Sequence, residues 1–134
     1  IKKFRGSNSV LSAGKDVTLL AVGSMLDEAL DAADILKSEG FDVGVINVAV
    51  VKPLDTGWSD LDTTLAVTIE DNVITGGFGQ QFAAANSSAS YDIISVAIPD
   101  TFVTHGDMAS LRKECGIDAA SIAGKVKSYY ERKA

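Results

Sequence analysis

Four short apolar runs are spread along the chain, each bounded by polar residues, glycine or proline. They are Val17–Val22, Asp42–Asn47, Leu65–Ile69 and Tyr91–Ile98. Each run is largely continuous rather than alternating, which is typical of strands that helices cover on both faces. The pattern therefore predicts four strands of an interior sheet.

Apolar residues recur at helical spacing after the first of these runs. We expect the first helix to be capped by Ser24, with Asp27 three residues on, and to end at Gly40. Further helices are predicted over residues 80–87, 107–114 and 118–131.

Strands that alternate with helices form βαβ units, so the chain is predicted to have an α/β fold. We expect a mainly parallel sheet with helices on both faces, which is a three-layer αβα sandwich. Residues 1–14 are polar and rich in glycine and serine, and are interpreted as a lead-in segment before a domain at 15–134.

Composition and charge exclude several classes of function. The chain has 134 residues, a net charge of -6 and a pI near 4.6, which argues against nucleic-acid binding and against docking on anionic membranes. Its one cysteine, Cys115, allows no internal disulfide and fits a reducing compartment. Because the chain begins with isoleucine, we expect it to be a fragment of a longer protein.

The glycine cluster Gly76, Gly77 and Gly79 is the first candidate site. Glycines ahead of a helix let the backbone approach a phosphate, and the helix N-terminus favours an anion. The cluster lacks the third glycine of a dinucleotide-binding fingerprint, however, and no phosphate-binding P-loop occurs in the chain. The alternative is a tight turn that lets the helix pack closely on the sheet.

The remaining candidates are acidic residues, a histidine and the cysteine. Glu70 and Asp71 close the third strand and suit acid–base or metal chemistry, or one structural hydrogen bond. His105, between Asp100 and Gly106 after the fourth strand, suits an anion contact, proton transfer or a loop hydrogen bond. Cys115 has no base nearby in sequence and is interpreted as a buried spectator thiol.

Several segments together resemble the transketolase C-terminal domain family. The opening Gly14–Met25, the turn Val51–Asp55, and Ile69–Asn72 followed by Gly76–Gly79 are similar to motifs of that family. Ile98–Gly106, followed by Cys115–Ala119, is similar to a narrower pattern of the 1-deoxy-D-xylulose-5-phosphate synthases.

This resemblance implies a five-stranded sheet with one antiparallel edge strand. It also implies a parent transferase that uses thiamine diphosphate and Mg²⁺, both held between the two preceding domains and neither bound by this chain alone. The parent reaction would join pyruvate and glyceraldehyde 3-phosphate into 1-deoxy-D-xylulose 5-phosphate and carbon dioxide. The implied partners are the preceding domains and a second subunit, in the cytoplasm, with His105 at the rim of the site.

Two other interpretations stay open at this point. The chain could be a stand-alone binding or assembly module that kept the fold and lost catalysis, because a fold does not fix a function. It could also be the corresponding domain of a transketolase or of a 2-oxoacid dehydrogenase beta subunit, although the loop at His105 and Gly106 speaks against the dehydrogenase.

Overall fold

The computed structural model describes residues 3–5, 8–12, 14–48, 62–73, 77–86, 89–98 and 108–133. The strands are β1 (Lys3–Arg5), β2 (Asn8–Ser12), β3 (Val17–Val22), β4 (Val43–Val48), β5 (Leu65–Val73) and β6 (Asp92–Ile98). The helices are α1 (Leu26–Ser38), α2 (Phe78–Ala85), α3 (Met108–Cys115) and α4 (Ala119–Lys133). No helix in this part of the chain is long and apolar enough to cross a bilayer.

These strands form one sheet in the order β1-β2-β4-β3-β5-β6. The four strands from β4 to β6 in this order are parallel, with Leu19 opposite Val45 on one side and opposite Val67 on the other. The predictions of an α/β fold and of a mainly parallel sheet built from four apolar runs are therefore confirmed.

The edge formed by the first residues differs from the expectation. Residues 3–5 and 8–12, interpreted as lead-in, form two strands, and β2 pairs antiparallel with β4 while β1 pairs antiparallel with β2. The sheet thus has six strands in the described residues, where the resemblance implied five with one antiparallel edge. Strands at an antiparallel edge need no continuous apolar run, so the hydrophobic pattern did not reveal them.

Helices cover both faces of the sheet, which makes the predicted three layers. On one face α1 and α4 pack on β3 and β5, and the cluster between them includes Leu36, Leu19 and Val126, all fully buried. On the other face α2 packs on the sheet through Phe78 and Phe82. β3 buries every one of its side chains, because each of its faces meets a helix layer.

The start of α1 departs from the predicted cap, whereas its end follows the prediction. Residues Gly23–Met25 form a 3₁₀ turn, and the N-cap position of α1 is Met25 rather than Ser24. At the other end Gly40 adopts φ +94°, and the N–H of Phe41 donates to the carbonyl of Leu36. This left-handed glycine ends the helix as expected.

The connections that leave the parallel strands place a crevice at the carboxyl edge of the sheet. β3 leads into α1 on one face, and its neighbour β5 leads into α2 on the opposite face. α/β sheets characteristically bind ligands where two adjacent connections diverge in this way. The site analysis therefore begins at the carboxyl ends of β3 and β5.

Candidate functional site

A buried carboxylate closes the start of α2 at this edge. The side chain of Glu70 is on the α2 face of β5 and the residue is 1% exposed. Its Oε1 accepts the backbone N–H of Phe78 at 2.9 Å, and its Oε2 accepts that of Gly79 at 2.6 Å. These two N–H groups lack partners within the helix, and a negative charge is favoured at a helix N-terminus. Glu70 therefore satisfies both requirements of the helix start.

Gly79 lets the first turn of α2 lie directly on the sheet. A Cβ at this position would come within 2.7 Å of both Thr68 Oγ1 on β5 and Ser95 Oγ on β6. The Thr68 hydroxyl donates to the Ser95 hydroxyl at 3.2 Å beneath the glycine. Because any side chain would overlap these groups, the close approach of helix and sheet depends on glycine here.

These contacts favour the structural interpretation of Glu70 and of the glycines. A phosphate at the start of α2 would have to displace the Glu70 carboxylate from the N–H groups of Phe78 and Gly79. It would also bring a second negative charge next to a buried one, which is unfavourable. Gly77 precedes the helix at its N-cap, Asp71 lies in β5, and Gly76 lies outside the described residues.

The loop with the histidine candidate lies outside the described residues. His105, Asp100 and Gly106 belong to the segment between the end of β6 at Ile98 and the start of α3 at Met108. The described end of β6 lies at the same edge of the sheet as Glu70, since β5 and β6 are parallel. The roles of these three residues stay predictions.

A second polar cluster joins α1, α3 and α4, and sequence reasoning missed it. Glu28 Oε1 accepts the backbone N–H of Ala119, the first residue of α4, at 2.8 Å. Its Oε2 lies 3.4 Å from Arg112 Nη1 on α3, and Arg112 Nη2 donates to Ser24 Oγ at 2.9 Å. In the sequence Glu28 is one of several acidic residues of the α1 segment. Its partners are 84 and 91 residues away, so no local signal could have revealed them.

The thiol of Cys115 is not activated. Burial, followed by the nearby negative charge of Glu114, raises the pKa of Cys115 above its ordinary value. A raised pKa keeps the thiol protonated near neutral pH, whereas the thiolate is the reactive form. Cys115 is half-buried rather than buried as expected, and its raised pKa fits a spectator thiol.

The described residues also lack a metal-binding group. Within the ranges that the structure describes, no three side chains among His, Cys, Asp and Glu lie close enough together to hold a metal ion.

Comparison with known proteins connects this chain to a family. The family model for "Transketolase, C-terminal domain" matches residues 6–122. The chain is 41% identical over 133 residues to a 1-deoxy-D-xylulose-5-phosphate synthase of Chlorobaculum tepidum, and 40% identical over 137 residues to synthase 2 of Geobacter sulfurreducens. These matches cover 96% and 95% of this chain but 21% of each relative. The chain therefore spans about a fifth of the length of these relatives.

A solved structure shows a similar arrangement. A split-gene transketolase, described as an inactive β4 tetramer, matches with a TM-score of 0.82 and 30% sequence identity. The match covers 94% of this chain and 43% of that chain. The likeness thus extends over nearly all of the present chain.

Replacing the buried carboxylate by an amide tests its role at the start of α2. In Glu70→Gln one side-chain oxygen becomes an NH₂ group that faces a backbone N–H donor, so we expect a loss of about 1–3 kcal/mol in the free energy of unfolding. The exposed Glu131→Gln on α4 is the control and should stay within about 0.5 kcal/mol of the parent. Urea unfolding of both variants measures this, and equal stabilities would contradict the capping role.

A pair of glycine substitutions tests the close approach of α2. Gly79→Ala should destabilise the fold by about 1–3 kcal/mol, because the new methyl overlaps Thr68 and Ser95. Gly124→Ala is the matched control in α4, where an added Cβ meets nothing within 4 Å. The control should gain about 0.4–1 kcal/mol from the lower entropy of the unfolded chain. Thermal unfolding compares the two, and a Gly79→Ala protein as stable as the control would refute the packing argument.

Proposed function

The chain belongs to the transketolase C-terminal domain family, and from that premise we propose that it is one domain of a 1-deoxy-D-xylulose-5-phosphate synthase. The parent enzyme would be a thiamine-diphosphate-dependent transferase that converts pyruvate and glyceraldehyde 3-phosphate into 1-deoxy-D-xylulose 5-phosphate and carbon dioxide. On this proposal the chain is inactive alone and serves as a structural and subunit-contact domain.

The observation that carries the proposal is the sequence identity between this chain and these synthases, together with the share of the chain over which it extends. Identities of 41% and 40% extend over 96% and 95% of the chain, so the matched residues include the core on both faces of the sheet as well as the edge strands. The match covers 21% of the length of each relative, which supports a single domain of a longer enzyme rather than a whole enzyme.

The structure supports a scaffolding role for the described residues. Phe78 and Gly79 give their N–H groups to Glu70, and no metal-binding cluster lies in the described ranges. These residues do not fit a diphosphate with Mg²⁺, so we assign no step of the reaction to them. Thiamine diphosphate supplies the carbon–carbon bond chemistry when bound, and we place it between the preceding domains of the parent.

Partners and location form part of the same proposal. We propose that the domain packs against the preceding domains of its parent and that the parent is a cytoplasmic homodimer. A single cysteine supports a reducing compartment, and the charge of -6 supports neither nucleic acid nor an anionic membrane as a partner.

A second candidate function of the parent rests on the similar solved structure. The split-gene transketolase carries this domain in a chain described as an inactive β4 tetramer. A transketolase subunit that needs a second polypeptide for activity is therefore the alternative function of the parent. The two candidates differ in the reaction that the complete protein would catalyse.

Expression of the complete reading frame that contains this chain decides between these functions. With thiamine diphosphate and Mg²⁺ we expect the complete protein to form 1-deoxy-D-xylulose 5-phosphate from pyruvate and glyceraldehyde 3-phosphate. Chromatography of the products, with mass detection, measures this. The 134-residue chain is the matched control and should show neither product nor calorimetric binding of the cofactor.

Two results would contradict the proposal. Ketol transfer between sugar phosphates, without formation of 1-deoxy-D-xylulose 5-phosphate, would make the parent a transketolase. Micromolar binding of thiamine diphosphate by the isolated chain would disprove its scaffolding role.

His105 is our candidate for a rim residue of the parent's site. In the complete enzyme, His105→Ala should lower kcat/KM about 10- to 100-fold, the effect of one lost hydrogen bond to a charged group. His105→Gln keeps a donor and should recover part of that loss, while both variants keep the melting temperature of the parent. A large drop in melting temperature with unchanged kcat/KM would instead make His105 a structural residue.

A further inference from the structure

β6 is an edge strand among the described residues, and its one charged side chain is Asp92 at its first position. Among the described residues it pairs only with β5, so its other side presents unpaired backbone groups. Its sequence, Asp92–Ile98, contains neither lysine nor proline, and the side chains of Ile93 and Ile98 are half-buried rather than covered. Natural proteins normally block such an edge with charge, proline or a covering element, because it is a template for another strand.

A groove runs beside this edge, between β6 and the outer face of α4. Ile94 of β6 lines it together with Ser121, Lys125, Ser128 and Arg132 of α4. The four α4 residues follow one another at intervals of three or four, so they share one face of the helix. A strand added to β6 would therefore lie along a wall that carries two cations and two hydroxyls.

The two cations of this wall differ from Lys127 and Lys133, which have partners in the described residues. Lys127 Nζ lies 3.0 Å from Glu39 Oε2, and the Lys133 ammonium stands 5.7 Å from the centre of the Tyr129 ring. Lys125 and Arg132, by contrast, make no ion pair with any residue that the structure describes. In a chain with a net charge of -6, the described lining of this groove carries two cations and no acidic side chain.

We propose that β6 receives an extended acidic segment of a partner polypeptide, which adds one strand to the sheet. Its backbone pairs with the open side of β6, as in other cases of strand addition. Side chains of a strand alternate between the two faces, so every second residue would enter the groove. Carboxylates at these positions meet Lys125 and Arg132, and apolar residues at the intervening positions lie beside Ile93.

Charge decides against a second copy of this chain as the occupant. A two-fold axis that paired β6 with another β6 would bring the two α4 faces together across the axis. Lys125 and Arg132 would then approach the same cations of the other copy. Like charges across an interface oppose association, whereas an acidic segment is complementary to the groove.

A designed peptide serves as the probe. A fluorescein-labelled peptide of alternating glutamate and valine should bind the chain saturably, as measured by fluorescence anisotropy. The same peptide with lysine in place of glutamate should not bind. A version that is N-methylated at every residue keeps every charge but cannot donate ladder hydrogen bonds, and its affinity should fall about tenfold or more, an order of magnitude for lost backbone pairing.

Charge reversal on the protein supplies the matched comparison. Lys125→Glu/Arg132→Glu should weaken binding of the glutamate peptide about tenfold, since it replaces two exposed attractions by repulsions. Lys37→Glu/Lys113→Glu makes the same change in net charge at exposed positions outside the groove and should leave the affinity nearly unchanged. Thermal melting of both variants checks that each keeps the fold.

Hydrogen exchange locates the bound peptide. Slower exchange confined to backbone amides of β6 is the expected result. The proposal is overturned if no peptide binds saturably, if the N-methylated peptide binds as tightly as its parent, or if both double variants lose affinity equally. Self-association that excludes the peptide would overturn it in favour of a second copy. None of these readouts needs catalytic activity, so they leave the proposed reaction untouched.

Discussion

The carboxylate of Glu70, buried between β5 and α2, holds together the end of the sheet where the two helix layers diverge. One of its oxygens accepts the N–H of Phe78 and the other accepts that of Gly79. Without these acceptors the first turn of α2 would leave backbone donors unsatisfied in an interior position, which is costly. The glycine that permits the close approach and the glutamate that completes it therefore depend on each other.

The same device recurs on the opposite face of the sheet. Glu28 of α1 accepts the first N–H of α4 and also holds Arg112 of α3. The starts of α2 and α4 are thus both capped by a glutamate from another element, Glu70 for α2 and Glu28 for α4, rather than by a local N-cap side chain. Because a carboxylate compensates both the free N–H groups and the helix dipole, each contact fixes the position of a whole helix.

This use of carboxylates has a functional consequence. The crevice between β3 and β5 is the position where an α/β sheet would ordinarily hold a ligand, and here the start of α2 is already engaged. The Glu70 carboxylate thus occupies N–H groups that a ligand would use there, in a chain that spans about a fifth of the length of its relatives.

Hydrophobic patterning in the sequence determined the four parallel strands and the order of the helices, because a strand buried on both faces requires a continuous apolar run. The end of α1 at Gly40 was also readable, because a left-handed residue after a helix is usually glycine. Motifs in the sequence also identified the family. The antiparallel strands β1 and β2 left no apolar run, and Ser24 looked like a cap although it accepts a hydrogen bond from Arg112. Only the tertiary structure decided the roles of Glu70 and Glu28. The partners of Glu28 lie 84 and 91 residues away, and the carboxylate of Glu70 looks the same in sequence whether it binds a ligand or the start of a helix.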